Sequence, residues 1–173
     1  GEQVFSKNTE LTEVSMPDSV STVRAYAFAE TGETLSITVR HNSGTVAANM
    51  LRNTPVTSVV MEEGITKIGD YSFAYCNSLS SITFPETLET IGQYSFFENR
   101  KYSEITLPKN VTSIGTNAFA RGYALTKITI PDSVTKIESY TFSGCTSLTE
   151  ITIPNSVKKM EGHTFSSCTS LTE

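Results

Sequence analysis

Apolar residues along this chain fall into columns that recur every 23 residues. One column runs back from Phe165 through Phe142, Phe119, Phe96 and Phe73, then to Leu51 after a step of 22, and on to Phe28 and Phe5. A second holds Leu11, Thr34, Val56, Leu79, Tyr102, Leu125, Leu148 and Leu171. A third is Val14, Ile37, Val59, Ile82, Ile105, Ile128 and Ile151, and two residues further on lies Met16, Val39, Met61, Phe84, Leu107, Ile130 and Ile153. Two more columns, opening at Val20 and Val23, keep the same phase to Val157 and Met160, although Ser43 interrupts the first. A fixed period of this length marks a stacked-repeat architecture.

Within one period the pattern predicts the elements. In "ITI", residues 128–130, the outer side chains share one face and the threonine takes the other, which is the period-2 signature of a strand. Pro131 ends that strand, because it has no N–H to donate and holds its predecessor extended. "PDS" supplies a turn, "VTKI" a second, shorter strand, and "SYTFSGC" one turn of 3₁₀ or α-helix with Phe142 inward. "GCTS" turns the chain back. A single period cannot cover its own apolar side, so successive periods must stack into a solenoid. At ~4.8 Å between parallel strands, about seven 23-residue repeats make an array roughly 30–35 Å long.

Stacking also predicts ladders on the outer face of the first strand. Thr83, Thr106, Thr129 and Thr152 fall in one row, and Glu104, Lys127 and Glu150 in another with alternating sign. These seven residues are the candidate partner-binding set. An extended sheet face of this kind suits a protein partner better than a small molecule, since the pattern implies no deep pocket. Taken one at a time, each residue also reads as a merely solvated ladder position.

The remaining candidate chemistry is thin. His41 and His163 lie about five repeats apart, roughly 25 Å at this rise, and no nucleophile, base and orienting group occur together. His163 stands in the column that holds Tyr26, Tyr71, Tyr94 and Tyr140, so it reads as an aromatic substitute, and the tyrosines as ring-on-ring packing rather than a recognition stripe. Cys76, Cys145 and Cys168 share a column with Thr31, Asn99 and Gly122. Cys145 and Cys168 come within disulfide range, but parallel side chains rarely reach the required torsion, so buried reduced thiols are expected. No cluster suits zinc. The expectation is no catalytic residue, no metal and no cofactor.

Composition narrows the classes further. The chain has 173 residues, 38% of them hydrophobic and 18% charged, enough to bury a core. A net charge of −5 argues against nucleic acid and anionic membrane. No apolar run approaches the ~20 residues of a membrane span, and an odd three cysteines do not make a disulfide scaffold. Gly1 reads as a scar of tag removal. The chain opens inside a coil at Phe5 and stops inside another after Leu171, so it reads as a piece of a longer array whose uncapped ends could associate end to end.

The full period, L-x-x-I-x-I-P-x-S-V-x-x-I-x-x-x-x-F-x-x-C-x-x-L, opens like a leucine-rich repeat. It then departs: Ser133 and Ser156 stand where an asparagine ladder is usual, with asparagine only at Asn42 and Asn110, and a proline follows the strand. In this form it resembles the BspA-like (Treponema-type) leucine-rich repeat family across nearly all of the chain. The fit is weakest at residues 40–55, where Arg40 replaces the proline and Leu51 the Phe; a worn repeat there is expected over a binding loop. The resemblance implies one right-handed leucine-rich-repeat solenoid over residues 1–173, partial at both ends and irregular at 34–55. A parallel sheet of short strands would line one face, with short second strands and 3₁₀ or α turns on the other. It also implies an extracellular or cell-surface location and a non-catalytic, adhesive role toward a protein ligand on a host or microbial surface, such as a host extracellular-matrix or epithelial surface protein. The alternative is a structural spacer that displays another domain.

Overall fold

The structure is a computed structural model and describes residues 4–17, 20, 27–28, 31, 34–40 and 44–172. Val23, Tyr26, His41, Asn42 and Ser43 lie outside the described residues. Each period contributes a strand to a first face: β1 (Glu13–Met16), β2 (Ser36–Val39), β4 (Ser58–Met61), β6 (Ser81–Thr83), β8 (Glu104–Thr106), β10 (Lys127–Thr129) and β12 (Glu150–Thr152). Two-residue strands line a second face: β3 (Thr45–Val46), β5 (Lys67–Ile68), β7 (Thr90–Ile91), β9 (Ser113–Ile114), β11 (Lys136–Ile137) and β13 (Lys159–Met160). Every strand pair is parallel, as stacked coils require. The β-branched residues of the first-face strands fit a pleated, half-buried surface. The prolines at 85, 108, 131 and 154 fall just past β6, β8, β10 and β12.

The phenylalanine column forms the spine of the core. Phe73, Phe96, Phe119 and Phe142 are fully buried, and their rings stack at 5.1, 5.3 and 5.9 Å with planes within 11° of parallel. Phe5 stacks on Phe28 and Phe165 on Phe142 in the same way. Leu51 fills the missing ring position and is itself fully buried, so residues 44–55 behave as a worn coil. Thr34 does not take its expected inward place. It is exposed and the adjacent Leu35 is buried instead, because only the leucine gains by leaving water.

The third face departs from the helical turn expected there: no 3₁₀ or α-helical turn occurs among the described residues. From residue 44 onward two residues in each coil adopt left-handed backbone, for example Tyr71 and Tyr75 (φ 58° and 62°) or Asn117 and Arg121 (φ 57° and 58°). A left-handed residue ends any right-handed helical run. It also turns alternate N–H groups outward to the neighbouring coil. The N–H groups of Leu51, Phe73, Phe96, Phe119 and Phe142 donate to Ser72, Ser95, Ala118, Thr141 and Thr164 O at 2.7–3.0 Å. This ladder runs unbroken from coil to coil.

The other two faces are interrupted. The first-face strands divide into β1-β2-β4-β6 and β8-β10-β12, and the second-face strands into β3-β5-β7-β9 and β11-β13. On the first face the N–H groups of Thr57, Ser80, Thr126 and Thr149 donate to the coil before at 2.7–3.0 Å, but the rung from Ser103 to Ser80 is missing. The break coincides with the bulkiest members of two core columns. Tyr102 replaces leucine and is buried, and Phe84 stands where others have Met, Val, Leu or Ile and packs edge-on to Phe96 at 5.8 Å.

The second-face break lies one coil later, where a glycine column ends. A Cβ at Gly92 or Gly115 would come within 2.6–2.8 Å of the preceding coil's backbone. Glu138, next in that column, carries a Cβ and cannot seat as closely. The rung from Thr135 to Thr112 is absent.

Candidate functional site

The expected contact face divides at the first-face break. In β8, β10 and β12 the register sets Glu104 beside Lys127 beside Glu150, and Thr106 beside Thr129 beside Thr152. All six are exposed, whereas Ile105 and Ile128 between them are buried. Lys127 Nζ lies 3.2 Å from Glu150 Oε2, while Glu104 makes no ion pair among the described residues. Thr83 does not join this ladder. It pairs with Val60 of β4, and nothing bonds it to Thr106, because the sheet has parted between them.

An open cleft of about 730 Å³ occupies that parting. Ile82, Thr83, Phe84 and Glu86 line one wall, and Thr106, Leu107, Pro108 and Lys109 the other. Ile82 and Phe84 are only half-buried here, unlike Val59 and Met61 one coil earlier. A cleft of this size was not expected from the repeat pattern. Its signal in the sequence was the pair of oversized residues, Tyr102 and Phe84, at unchanged spacing.

The cysteines are free. Their thiols also have a hydrogen-bonding role beyond that of small apolar fillers. Cys76 Sγ donates to Leu51 O at 3.0 Å, Cys145 Sγ to Phe119 O at 3.3 Å and Cys168 Sγ to Phe142 O at 3.1 Å. In the same column Asn99 Nδ2 reaches Phe73 O and Phe96 O at 3.1 Å, and Thr54 Oγ1 reaches Leu51 O at 2.7 Å. The column thus satisfies carbonyls of the buried spine. Burial pushes the Cys76 thiol up to about 11 and the Cys145 thiol up to about 12, which removes the thiolate a nucleophile or metal ligand needs. Burial likewise raises Cys168.

A second polar column does the work expected of an asparagine ladder. Thr87 Oγ1 donates to Ile65 O at 2.9 Å, Ser156 Oγ to Val134 O at 2.8 Å, and Ser133 Oγ to Val111 O. A hydroxyl spans the gap because each donor has only to reach the carbonyl of the coil beneath it. At the seam, Tyr102 Oη donates to Phe96 O at 3.3 Å, while Ser95 Oγ and Asn99 Oδ1 are buried without partners. Burial holds the Tyr102 phenol well above its ordinary range, so it stays protonated as a donor.

The tyrosine column packs ring on ring as expected. Tyr71 stacks on Tyr94 at 4.7 Å, and Tyr140 on His163 at 4.8 Å, which makes His163 the aromatic substitute its column implied. The Arg52 guanidinium lies over Tyr71 and Tyr75 at 5.3 and 5.4 Å. On the second face Lys136 bridges Glu138 (2.9 Å) and Glu161 (3.1 Å), and Lys159 reaches Glu161 at 2.7 Å. Hydrogen bonds to Glu138, then to Glu161, raise the Lys136 ammonium, and those donated by Lys159, then Lys136, lower the Glu161 carboxyl. These ion pairs are exposed and belong to the solvated surface. No group of His, Cys, Asp and Glu side chains among the described residues is placed to hold a metal, and no described helix is long and apolar enough to cross a membrane.

A model of the BspA type leucine rich repeat region matches six copies over residues 1–123 and 44–172. Among solved structures, the chain is similar to a leucine-rich repeat protein from Bacteroides ovatus (24% identity, TM-score 0.72), covering 92% of this chain and 44% of that one. It is also similar to the T. pallidum leucine rich repeat protein, at 19% identity and TM-score 0.64, covering 95% and 79% of the two chains. The pneumococcal vaccine antigen PcpA matches at 20% identity and TM-score 0.56, over 86% of this chain and 50% of its own. These likenesses establish a shared fold, and the chain spans less than half the length of the Bacteroides protein. No curated protein matches it.

Proposed function

Because the chain belongs to the BspA-type leucine-rich repeat family, we propose that it is a non-catalytic protein-binding module of a cell-surface protein. Its contact face is the outer side of β8, β10 and β12 together with the adjoining cleft. One observation carries the reading: Glu104, Thr106, Lys127, Thr129, Glu150 and Thr152 stand in two straight exposed rows on a sheet whose inward side chains pack a continuous core. A rigid face loses little side-chain or backbone freedom on docking, so more of the contact energy is kept. An extracellular setting is supported by the kinship of the fold with a protein described as a vaccine antigen. The ligand class that fits is a host extracellular-matrix or epithelial surface protein.

Surface plasmon resonance with the chain immobilised and purified fibronectin and fibrinogen flowed across it tests this. Binding is expected, with at least a tenfold loss on combining Lys127→Glu with Thr129→Arg. Absence of binding both by this chain and by a longer array overturns the reading. A second reading, a spacer with idle faces, is favoured by a different observation. Among the described residues the outer sheet face carries no aromatic side chain and a single exposed large apolar one, Val60, whereas binding hot spots concentrate in aromatic and arginine anchors. The same measurement separates the two.

A further inference from the structure

The parted sheet leaves two parallel strand edges facing each other. β6 bonds only to β4, and β8 only to β10, although every other interior first-face strand bonds on both sides. The lost rung shows which groups are orphaned. Thr126 and Lys127 N–H both donate to Ser103 O at 2.7 and 3.3 Å, but the equivalent Ser103 and Glu104 N–H groups find no carbonyl on Ser80. Strand edges in this condition are templates for another chain. Across the seam, the turn-face ladder still holds Phe73 to Ser95 and Phe96 to Ala118 at 2.8 Å. The opening is therefore a wedge, closed along its back and at its outgoing end, where Asn110 Nδ2 donates to Glu86 O at 2.7 Å, and open to solvent on the sheet side.

We infer that this seam is a docking slot for one extended polypeptide segment of a protein partner, which would insert between β6 and β8 by strand addition. The inference rests on the protein-binding reading above and names the form in which the partner is held. Three features select a polypeptide. Both walls present backbone groups that the parted sheet leaves unpaired, and another backbone can match them on two sides at once. The walls are apolar where Ile82, Phe84 and Leu107 line the cleft, suiting an alternating apolar side chain. At the outgoing end the lips carry opposite charges, Glu86 on one and Lys109 on the other. A segment with one cationic and one anionic side chain pairs both lips.

Tyr102 is the positioning residue. Its ring is buried where the neighbouring coils carry leucine, and its hydroxyl is tied to Phe96 O, so the coil cannot settle onto its predecessor along the sheet side. Phe84 wedges the same seam from the other wall.

The test uses the whole chain and a capped peptide, Thr-Ile-Thr-Val-Thr-Lys-Glu, with a second version N-methylated at alternate residues to remove half its donors. In the free protein, hydrogen exchange at the Ser103 and Glu104 amides should be at least tenfold faster than at Thr126 and Lys127. Peptide should slow it and shift amide resonances of residues 80–86 and 103–109 only. The N-methylated peptide should bind at least tenfold more weakly, and Tyr102→Leu should close the seam, protecting Ser103 and lowering peptide affinity by the same factor. If Tyr102→Leu fails to fold, Phe84→Leu makes the same test.

Equal protection of Ser103 and Thr126 in the free protein overturns the inference. So do equal affinities for the two peptides, or resonance shifts elsewhere. Peptide binding lost while fibronectin or fibrinogen binding persists removes the slot and leaves the contact face standing; the opposite pattern removes the contact face alone.

Discussion

Truncating Phe119 to alanine removes a fully buried ring held between Phe96 at 5.3 Å and Phe142 at 5.9 Å. A buried Phe→Ala change costs about 3–5 kcal/mol. Here the chain above and below is pinned by the Phe119 N–H bond to Thr141 O and the Phe96 N–H bond to Ala118 O, so the coils cannot collapse into the void. Two stacked contacts, each about 0.5–1.5 kcal/mol, are lost with the ring. The expected cost therefore lies at the upper end, about 4–5 kcal/mol.

Urea unfolding followed by circular dichroism measures it, with the slope compared between variants. Two controls sharpen the result. Phe165→Ala removes a half-buried ring stacked on one side only, at 5.6 Å, and should cost about 2–3 kcal/mol. Thr129→Ala removes an exposed methyl and hydroxyl and should cost under about 1 kcal/mol. Coincident midpoints for Phe119→Ala and Thr129→Ala would refute the inside–outside assignment of the columns.

Three further outcomes are expected. Gly92→Ala places a Cβ 2.7 Å from backbone atoms of the preceding coil and should destabilise by about 1–3 kcal/mol, whereas Gly162→Ala, with nothing within 4 Å, should be near neutral in the same unfolding assay. Cys76 and Cys145 should resist a disulfide-exchange reagent at pH 8 in the native protein, with Cys168 reacting first, because its burial is less complete. Both deeply buried thiols hold their protons above the ordinary 9.0, to about 11 and about 12, so the unfolded chain loses protons first as pH climbs past 9. Stability should then fall from pH 9 toward 11 by up to about 1.4 kcal/mol per pH unit per thiol, and Cys76→Ala with Cys145→Ala should flatten that decline.

What the sequence revealed and what it hid have a common cause. Columns such as Ile105, Ile128 and Phe119, Phe142 are legible because burial and the two-residue alternation of a strand act on every coil alike. Register followed from the period, which is why Glu104, Lys127 and Glu150 fell side by side as expected. The seam was hidden because the step from Ile82 to Ile105 is still 23 residues; only side-chain volume, at Phe84 and Tyr102, distinguishes that junction. The left-handed turns were obscured by tyrosine at 71, 94 and 140, although Asn49, Asn53, Asn117 and Gly144 occupy the same two columns and tolerate that backbone readily. Thr34 was misplaced because a fixed period cannot register a one-residue shift toward Leu35.

The first-face and second-face openings sit one coil apart, so residues 104–126 form a course whose strands bond to the array below through the second face alone and to the array above through the first face alone, with the turn-face ladder continuous on both sides. Bending strain applied at either end of the array gathers at this course, while its neighbours stay rigid.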